Sequence, residues 1–437
     1  MSEVKYTIPG MAVTDFFVSV PLDWFDVAST ETLEVFAREL VDPVRRHEEL
    51  PIMVFLQGGP GGKGPRPLGP TGWIGQALKT HRVLLLDQRG TGRSAPVEAA
   101  TMARFGEGAA GASAGASAGA DYLTHFRADS IVADAEHIRK TRFGGRRWAT
   151  VGQSYGGFLT LTYLSVAPEA LTACYVTGGL ASIWPDAAEV YRRTFPRTAG
   201  KNREFYARYP HAVGQVAAIA DHLDQHDVRL PDGDRLTVRR FRTLGIDFGM
   251  KPGFERMHWL LEEAFSQDGE TLSDGFLAQV LARTSYAANP LFAVMQESIY
   301  SHGTNGPTNW AAQGELVRHP EFAESARPLM FTGEMMFPWM FQEIRLLRPF
   351  AGAVNELARR GTFSELYDVD RLAANAIPVA AAVYFDDMYV DAGLQLATAA
   401  AVGNVHAWVT NEFEHDGIGD DKVFAYLRST IARLGAE

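Results

Sequence analysis

The chain has 437 residues, 46% of them hydrophobic and 21% charged, with a formal charge of −11 and one cysteine. That composition suits a folded globular protein, and with no net positive charge to neutralise phosphates it disfavours an extended basic nucleic-acid surface. A single cysteine excludes a disulfide framework and a Cys-rich metal site. The opening residues, Met-Ser-Glu-Val-Lys-Tyr, lack the basic and apolar regions of a secretory signal, and no apolar run reaches spanning length. The expectation is therefore a soluble, cytoplasmic protein with neither a membrane nor a nucleic-acid partner.

In chain order, 12–20 and 33–38 alternate roughly, as antiparallel strands do. Denser apolar runs at 52–56, 83–86 and 148–151 end in Gly-rich or Asp-containing loops, which suits central parallel strands buried on both faces. Residues 131–143 carry a helical stripe between the last two of these runs, and strand–helix–strand predicts a parallel α/β sheet. The stretch 106–120 is almost entirely Gly, Ala and Ser, and is expected to be a flexible surface insertion. From 184 to 350 amphipathic helical patterns dominate, as at 255–265 and 276–284. Strands return at 379–385 and 405–410, followed by a helix from about 421 to 434. The expected architecture is an α/β core in two parts, 1–183 and 351–437, interrupted by a helical cap over 184–350.

The strongest chemical signal is Gly152-Gln153-Ser154-Tyr155-Gly156-Gly157, placed between a predicted strand and a predicted helix. This is the Gly-x-Ser-x-Gly elbow, in which a strained turn projects a nucleophilic serine above the sheet. A serine hydroxyl needs a base, and the base needs an orienting acid. Among the histidines after Ser154, His415 lies just past a predicted strand, on a loop able to reach the elbow; His406 opens that strand, and the others fall within the helical block. The strand at 379–385 ends in Asp386-Asp387, with Asp391 a remote third. Spacing alone leaves the two adjacent aspartates equal. Gln57-Gly58-Gly59-Pro60-Gly61-Gly62 follows the 52–56 strand, where this chemistry requires oxyanion donors, and the N–H groups of Gly59 and Tyr155 are assigned that role. A phosphate loop is disfavoured because Gly62-Lys63 is followed by Gly64. His47-Glu48-Glu49-Leu50 lacks the second histidine of a zinc helix, and Gly90-x-Gly92 lacks the third glycine of a dinucleotide fingerprint. No cofactor is required.

Gly58-Gly59-Pro60-Gly61, Asp87-Gln88-Arg89-Gly90-Thr91-Gly92-Arg93-Ser94 and Gly152-Gln153-Ser154-Tyr155-Gly156-Gly157, in this order, resemble the proline iminopeptidases. These are serine peptidases of the α/β-hydrolase fold with a helical cap. The resemblance implies release of an N-terminal residue, typically proline, from short peptides with a free N-terminus. It also implies the acid: Ile377-Pro378-Val379 sets the family's spacing on Asp387, and Asp87 and Arg89 read as loop-bracing residues. Family members bind the substrate's α-ammonium with cap carboxylates, for which Glu297 and Glu334 are the candidates. Tyr300, Phe337 and Trp339 are candidates to line a pocket for the pyrrolidine ring. Departures occur at Gln57, where the family often has histidine, at Tyr384-Phe385-Asp386-Asp387, and at Glu414, where a glycine usually precedes the histidine. Another residue preference, a di- or tripeptidyl aminopeptidase and a small-metabolite esterase or amide hydrolase remain open on these residues, and a binding protein without activity is the remotest alternative.

Overall fold

The computed structural model describes residues 3–106, 112–184, 186–267 and 269–435. Its centre is a nine-stranded sheet: β1 (Val4–Ile8), β2 (Met11–Pro21), β3 (Thr32–Val41), β4 (Ile52–Leu56), β5 (Arg82–Leu86), β6 (Trp148–Gln153), β7 (Leu171–Thr177), β8 (Val379–Tyr384) and β9 (Val405–Thr410). The spatial order is β1-β2-β3-β5-β4-β6-β7-β8-β9. The β1, β2, β3 and β5 neighbours pair antiparallel, and every pair from β5 to β9 is parallel. The central strands β4 and β8 are buried at every position, which is why they read as apolar runs without alternation. Strands β1 and β7 differ in kind: β1, at one edge, is largely exposed, and β7, inside the sheet, is buried but broken by threonines and Tyr175, so neither is announced by its sequence pattern.

Helices cover both faces. On one, Gly72–Ala77 and Asp421–Arg433 bring Trp73 and Phe424 together over Phe55 and Tyr175; the Phe55 and Trp73 rings stack with centroids 4.6 Å apart. On the other lie Ala128–Arg142 and Tyr155–Val166. Between β7 and β8 the chain leaves the sheet for a run of helices that starts with Ala187–Arg208. The helical series continues past 350 through Ala351–Arg359 to Val369–Ala373. Among the described residues, no helix is long and apolar enough to cross a membrane.

The Gly/Ala/Ser stretch departs from expectation. Residues 107–111 of it lie outside the described residues, but Ala112–Thr124 is a helix packed on Ala351–Arg359. Small side chains let the two approach closely: a Cβ on Gly119 would sit 3.0 Å from that of Ala353. Alanine has the highest helix propensity, so a composition read as linker is equally that of a helix in tight contact.

Candidate active site

The parallel strands deliver their loops to one edge of the sheet, the place where open α/β sheets bind ligands. After β6, Ser154 takes φ 83° and ψ −117°, a conformation costly for a residue with a side chain. Packing enforces it, because strand and helix meet the neighbouring strand loops at distances only glycine permits. A Cβ on Gly156 would lie 1.9 Å from the Leu56 carbonyl oxygen, and one on Gly157 2.2 Å from that of Gly179. Ser154 is left at the positive end of the Tyr155–Val166 helix.

Beyond β9 the chain turns so that His415 Nε2 lies 2.8 Å from Ser154 Oγ. On the other side of the ring, Nδ1 lies 2.7 Å from Asp387 Oδ2. Asp387 follows β8 and is fully buried, whereas Asp386 is exposed. Asp391 caps the Ala392–Ala401 helix and pairs with Arg197 at 2.6 Å, away from the imidazole. Burial disfavours the His415 imidazolium. The Asp387 carboxylate, with Glu334 and Asp416, outweighs that, so the group's pKa is held above the ordinary histidine value.

The loop after β4 packs against the elbow, with the position of a Gly58 Cβ only 2.9 Å from Ser154 Cβ, and Gly59 follows with φ +130°. Gln88 Nε2 donates to the Gln57 carbonyl at 2.7 Å, and Asn289 Nδ2 to that of Pro60 at 3.3 Å. As the first residue of its helix, Tyr155 presents an N–H with no intrahelical acceptor. Asp87 accepts from the backbone N–H groups of Gly64 and Arg93 and from Arg66. Arg89 makes a two-pronged ion pair with Asp134, at 2.7 and 2.6 Å, and donates to the carbonyls of Pro21, Leu22 and His125. Both residues thus brace loops behind the serine.

Residues 51–291 match a family model described as the alpha/beta hydrolase fold. A proline iminopeptidase from Aeromonas sobria is 45% identical over 421 residues, covering 96% of this chain and 96% of its own length. Another, from Aspergillus aculeatus, is 33% identical over 89% of this chain and 86% of its own. The chain belongs to the proline iminopeptidase family. Among solved structures, a proline iminopeptidase from Mycobacterium smegmatis aligns over 97% of this chain and 100% of its own with TM-score 0.42 and 13% identity, too remote to inform the site.

Glu334 is partly buried and within electrostatic range of both His415 and Asp387. Burial above all pushes its carboxyl up to about 8; the Asp387 charge adds to this, while His415 and a hydrogen bond from Gln296 oppose it. Glu297 is turned elsewhere. Its two oxygens accept from the backbone N–H groups of Ala311 and Ala312, at 3.0 and 2.9 Å, at the start of the Ala311–Leu316 helix. Burial pushes it up to about 7, against the pull of those bonds and of Thr308. Tyr300 feels the charges of Glu334 and Asp387 and packs its ring 5.9 Å from that of Phe158 on the elbow helix. Buried Arg127 donates to the carbonyls of Ser298 and Ser301, fixing the turn that carries Tyr300. Phe337 and Trp339 stack on one another at 6.2 Å, with Arg239 over the Trp339 ring, and their contacts run within the helical block.

Several supports of the site have no sequence signal. The Tyr389 and His415 rings pack perpendicular with centroids 4.7 Å apart, and the Tyr389 backbone N–H donates to Asp387 Oδ1. Its hydroxyl donates to the Ile246 carbonyl in the helical block. From that block, the Gly249 carbonyl accepts the His415 N–H at 3.0 Å, and the Lys251 N–H donates to Asp416.

Proposed function

We propose that this protein is a serine aminopeptidase that releases an N-terminal residue, preferentially proline, from short peptides with a free N-terminus. The observation that carries the reading is the line from Ser154 Oγ through His415 to Asp387, at 2.8 and 2.7 Å, with Glu334 close by. Ser154 attacks the carbonyl carbon of the N-terminal residue while His415 Nε2 takes its proton. Asp387 accepts from Nδ1–H, fixing the tautomer and stabilising the imidazolium. The N–H groups of Gly59 and Tyr155 receive the oxyanion. His415 then protonates the departing peptide amine, and water hydrolyses the acyl-enzyme by the same route.

Glu334 supplies the exopeptidase register: a cationic α-amine entering this partly dry site offsets the burial that holds the carboxyl at about 8 and draws it into an ionised pair. Glu297 shapes the same region by holding a helix start, and Tyr300, Phe337 and Trp339 contribute apolar surface for a pyrrolidine ring. The block at 184–350 acts as a cap, which favours short peptides over folded chains. A reducing, cytoplasmic setting fits the single cysteine, Cys174, a buried free thiol.

The test is steady-state hydrolysis of prolyl p-nitroanilide, its N-acetyl derivative, other aminoacyl anilides and a simple ester, by wild type and Ser154→Ala. Turnover of the free-amine prolyl substrate that is lost on acetylation and in Ser154→Ala is expected. Turnover of the ester with every free-amine anilide inert would move the protein to the esterases.

A further inference from the structure

A carboxylate next to a general base is a liability, because its charge favours the imidazolium, which cannot accept a proton. Glu414 immediately precedes His415, and its side chain is only 19% exposed. It lies close enough to Asp387 for that charge to act on it. Its Oε1 is 2.7 Å from Nζ of Lys201, itself 5% exposed and 213 residues away in sequence; its Oε2 has no hydrogen-bond partner. Burying an ammonium is unfavourable unless it is paired, so each ion depends on the other.

Lys201 belongs to the Ala187–Arg208 helix, the first of the helical block. The adjacent Asn202 exchanges two hydrogen bonds with the Phe331 backbone, at 2.7 and 2.9 Å. Thr198 fills the space beside Gly333, where a Cβ would meet its hydroxyl at 2.8 Å. One turn of this helix therefore supports both the segment leading into Glu334 and the loop bearing His415.

We propose that Lys201 is a positioning residue for His415: by holding Glu414 it fixes the loop that presents the imidazole and cancels a negative charge beside it. The proposal rests on the reading of His415 as general base. The other groups facing the ring are Ser154 at Nε2, Asp387 at Nδ1, Glu334 from the helical block, Asp416 on the same loop and Tyr389 packed perpendicular to it. Tyr384 lies against Gly417, Lys251 is bonded to Asp416 and Glu412, and Asp247 acts on Tyr389. None of these groups hydrogen-bonds to the side chain of Lys201 or Glu414.

The experiment compares wild type, Lys201→Met, Glu414→Gln and the double variant. For each, kcat, KM and the rate of fluorophosphonate labelling of Ser154 are measured from pH 5 to 9, with Tm alongside. Lys201→Met is expected to lower kcat and labelling about 10- to 100-fold, as small misplacements of a reacting group do. KM should stay within about twofold. Its acid limb should move up by roughly half a pH unit, because Glu414 is left uncompensated, and that of Glu414→Gln should move down, because the ammonium is. The double variant should return the limb to its wild-type position and recover part of kcat. Lys201→Arg keeps the charge, should hold the wild-type limb, and serves if Lys201→Met does not fold. Unmoved limbs in both single variants, or a double-variant loss equal to the product of the singles, would overturn the proposal. Prolyl release that persists in Ser154→Ala would instead sink the underlying reading of the site.

Discussion

His415 Nδ1 and Asp387 Oδ2 lie 2.7 Å apart, and the other oxygen of Asp387 accepts the N–H groups of Tyr389 and Val390 at 2.8 and 3.1 Å. The carboxylate is therefore held from behind by its own chain while its free edge faces the imidazole. Any torsion that would turn it away breaks two backbone bonds in a fully buried position.

This arrangement sets the pH profile. The proposed mechanism requires a neutral His415, and because its pKa is held above the ordinary value of 6.5, kcat/KM should rise with pH through a midpoint above 6.5. Asp387→Asn removes the charge that favours the imidazolium. Its acid limb should move to lower pH, and kcat should fall about 10³- to 10⁴-fold, as in other serine triads. A profile of kcat/KM against pH for both proteins checks the two shifts together.

Glu334→Gln keeps the shape of the side chain and deletes its charge. Loss of a charged hydrogen bond is worth about 1.5–3 kcal/mol, so kcat/KM for free-amine prolyl substrates should fall about 10- to 100-fold, mainly through KM. Turnover of a small ester should change little. Equal losses on both substrates would remove the ammonium assignment.

Glu297→Ala tests the carboxylate whose oxygens hold Ala311 and Ala312. Loss of such a helix-start acceptor costs about 0.5–2 kcal/mol, so a lower denaturation midpoint is expected. The ratio of amine to ester turnover should stay near the wild-type value. A selective rise in KM for free amines would instead place Glu297 against the substrate.

Arg89 and Asp134 are 0% and 1% exposed, so Arg89→Met leaves an uncompensated carboxylate inside the protein. Breaking a buried pair from one side costs about 3–5 kcal/mol. Chemical denaturation should report a loss of that size. Asp134→Leu added to Arg89→Met should recover much of it, because an apolar pair buries no charge.

The parts of the site legible in the sequence are those built by neighbours along the chain. Ser154 is announced by glycines that allow the elbow, and β4 and β6 by apolar runs that only a doubly covered strand needs. Asp387 and Asp386 differ by one position, and only the fold decides which is buried; the family spacing anticipates it, whereas composition does not. Glu297 reads like Glu334 until its partners at 311 and 312 are present. The link between Lys201 and Glu414 crosses most of the chain, and nothing local to either residue announces it. The helix at 112–124 was hidden because its recognition depends on a partner at 351–359 that its own residues do not encode.

The order of the strands has a consequence for synthesis. Ser154 and the glycine loop after β4 follow strands made early, but β7 gains its partner β8 only after about 200 further residues, a span whose closure carries a modest extra entropic cost. Until β8 and β9 arrive, Ser154 has neither His415 beside it nor Asp387 behind that ring. On the proposed mechanism, a growing chain thus carries its serine unarmed past neighbouring peptides, and hydrolytic capacity switches on only when the last strands dock.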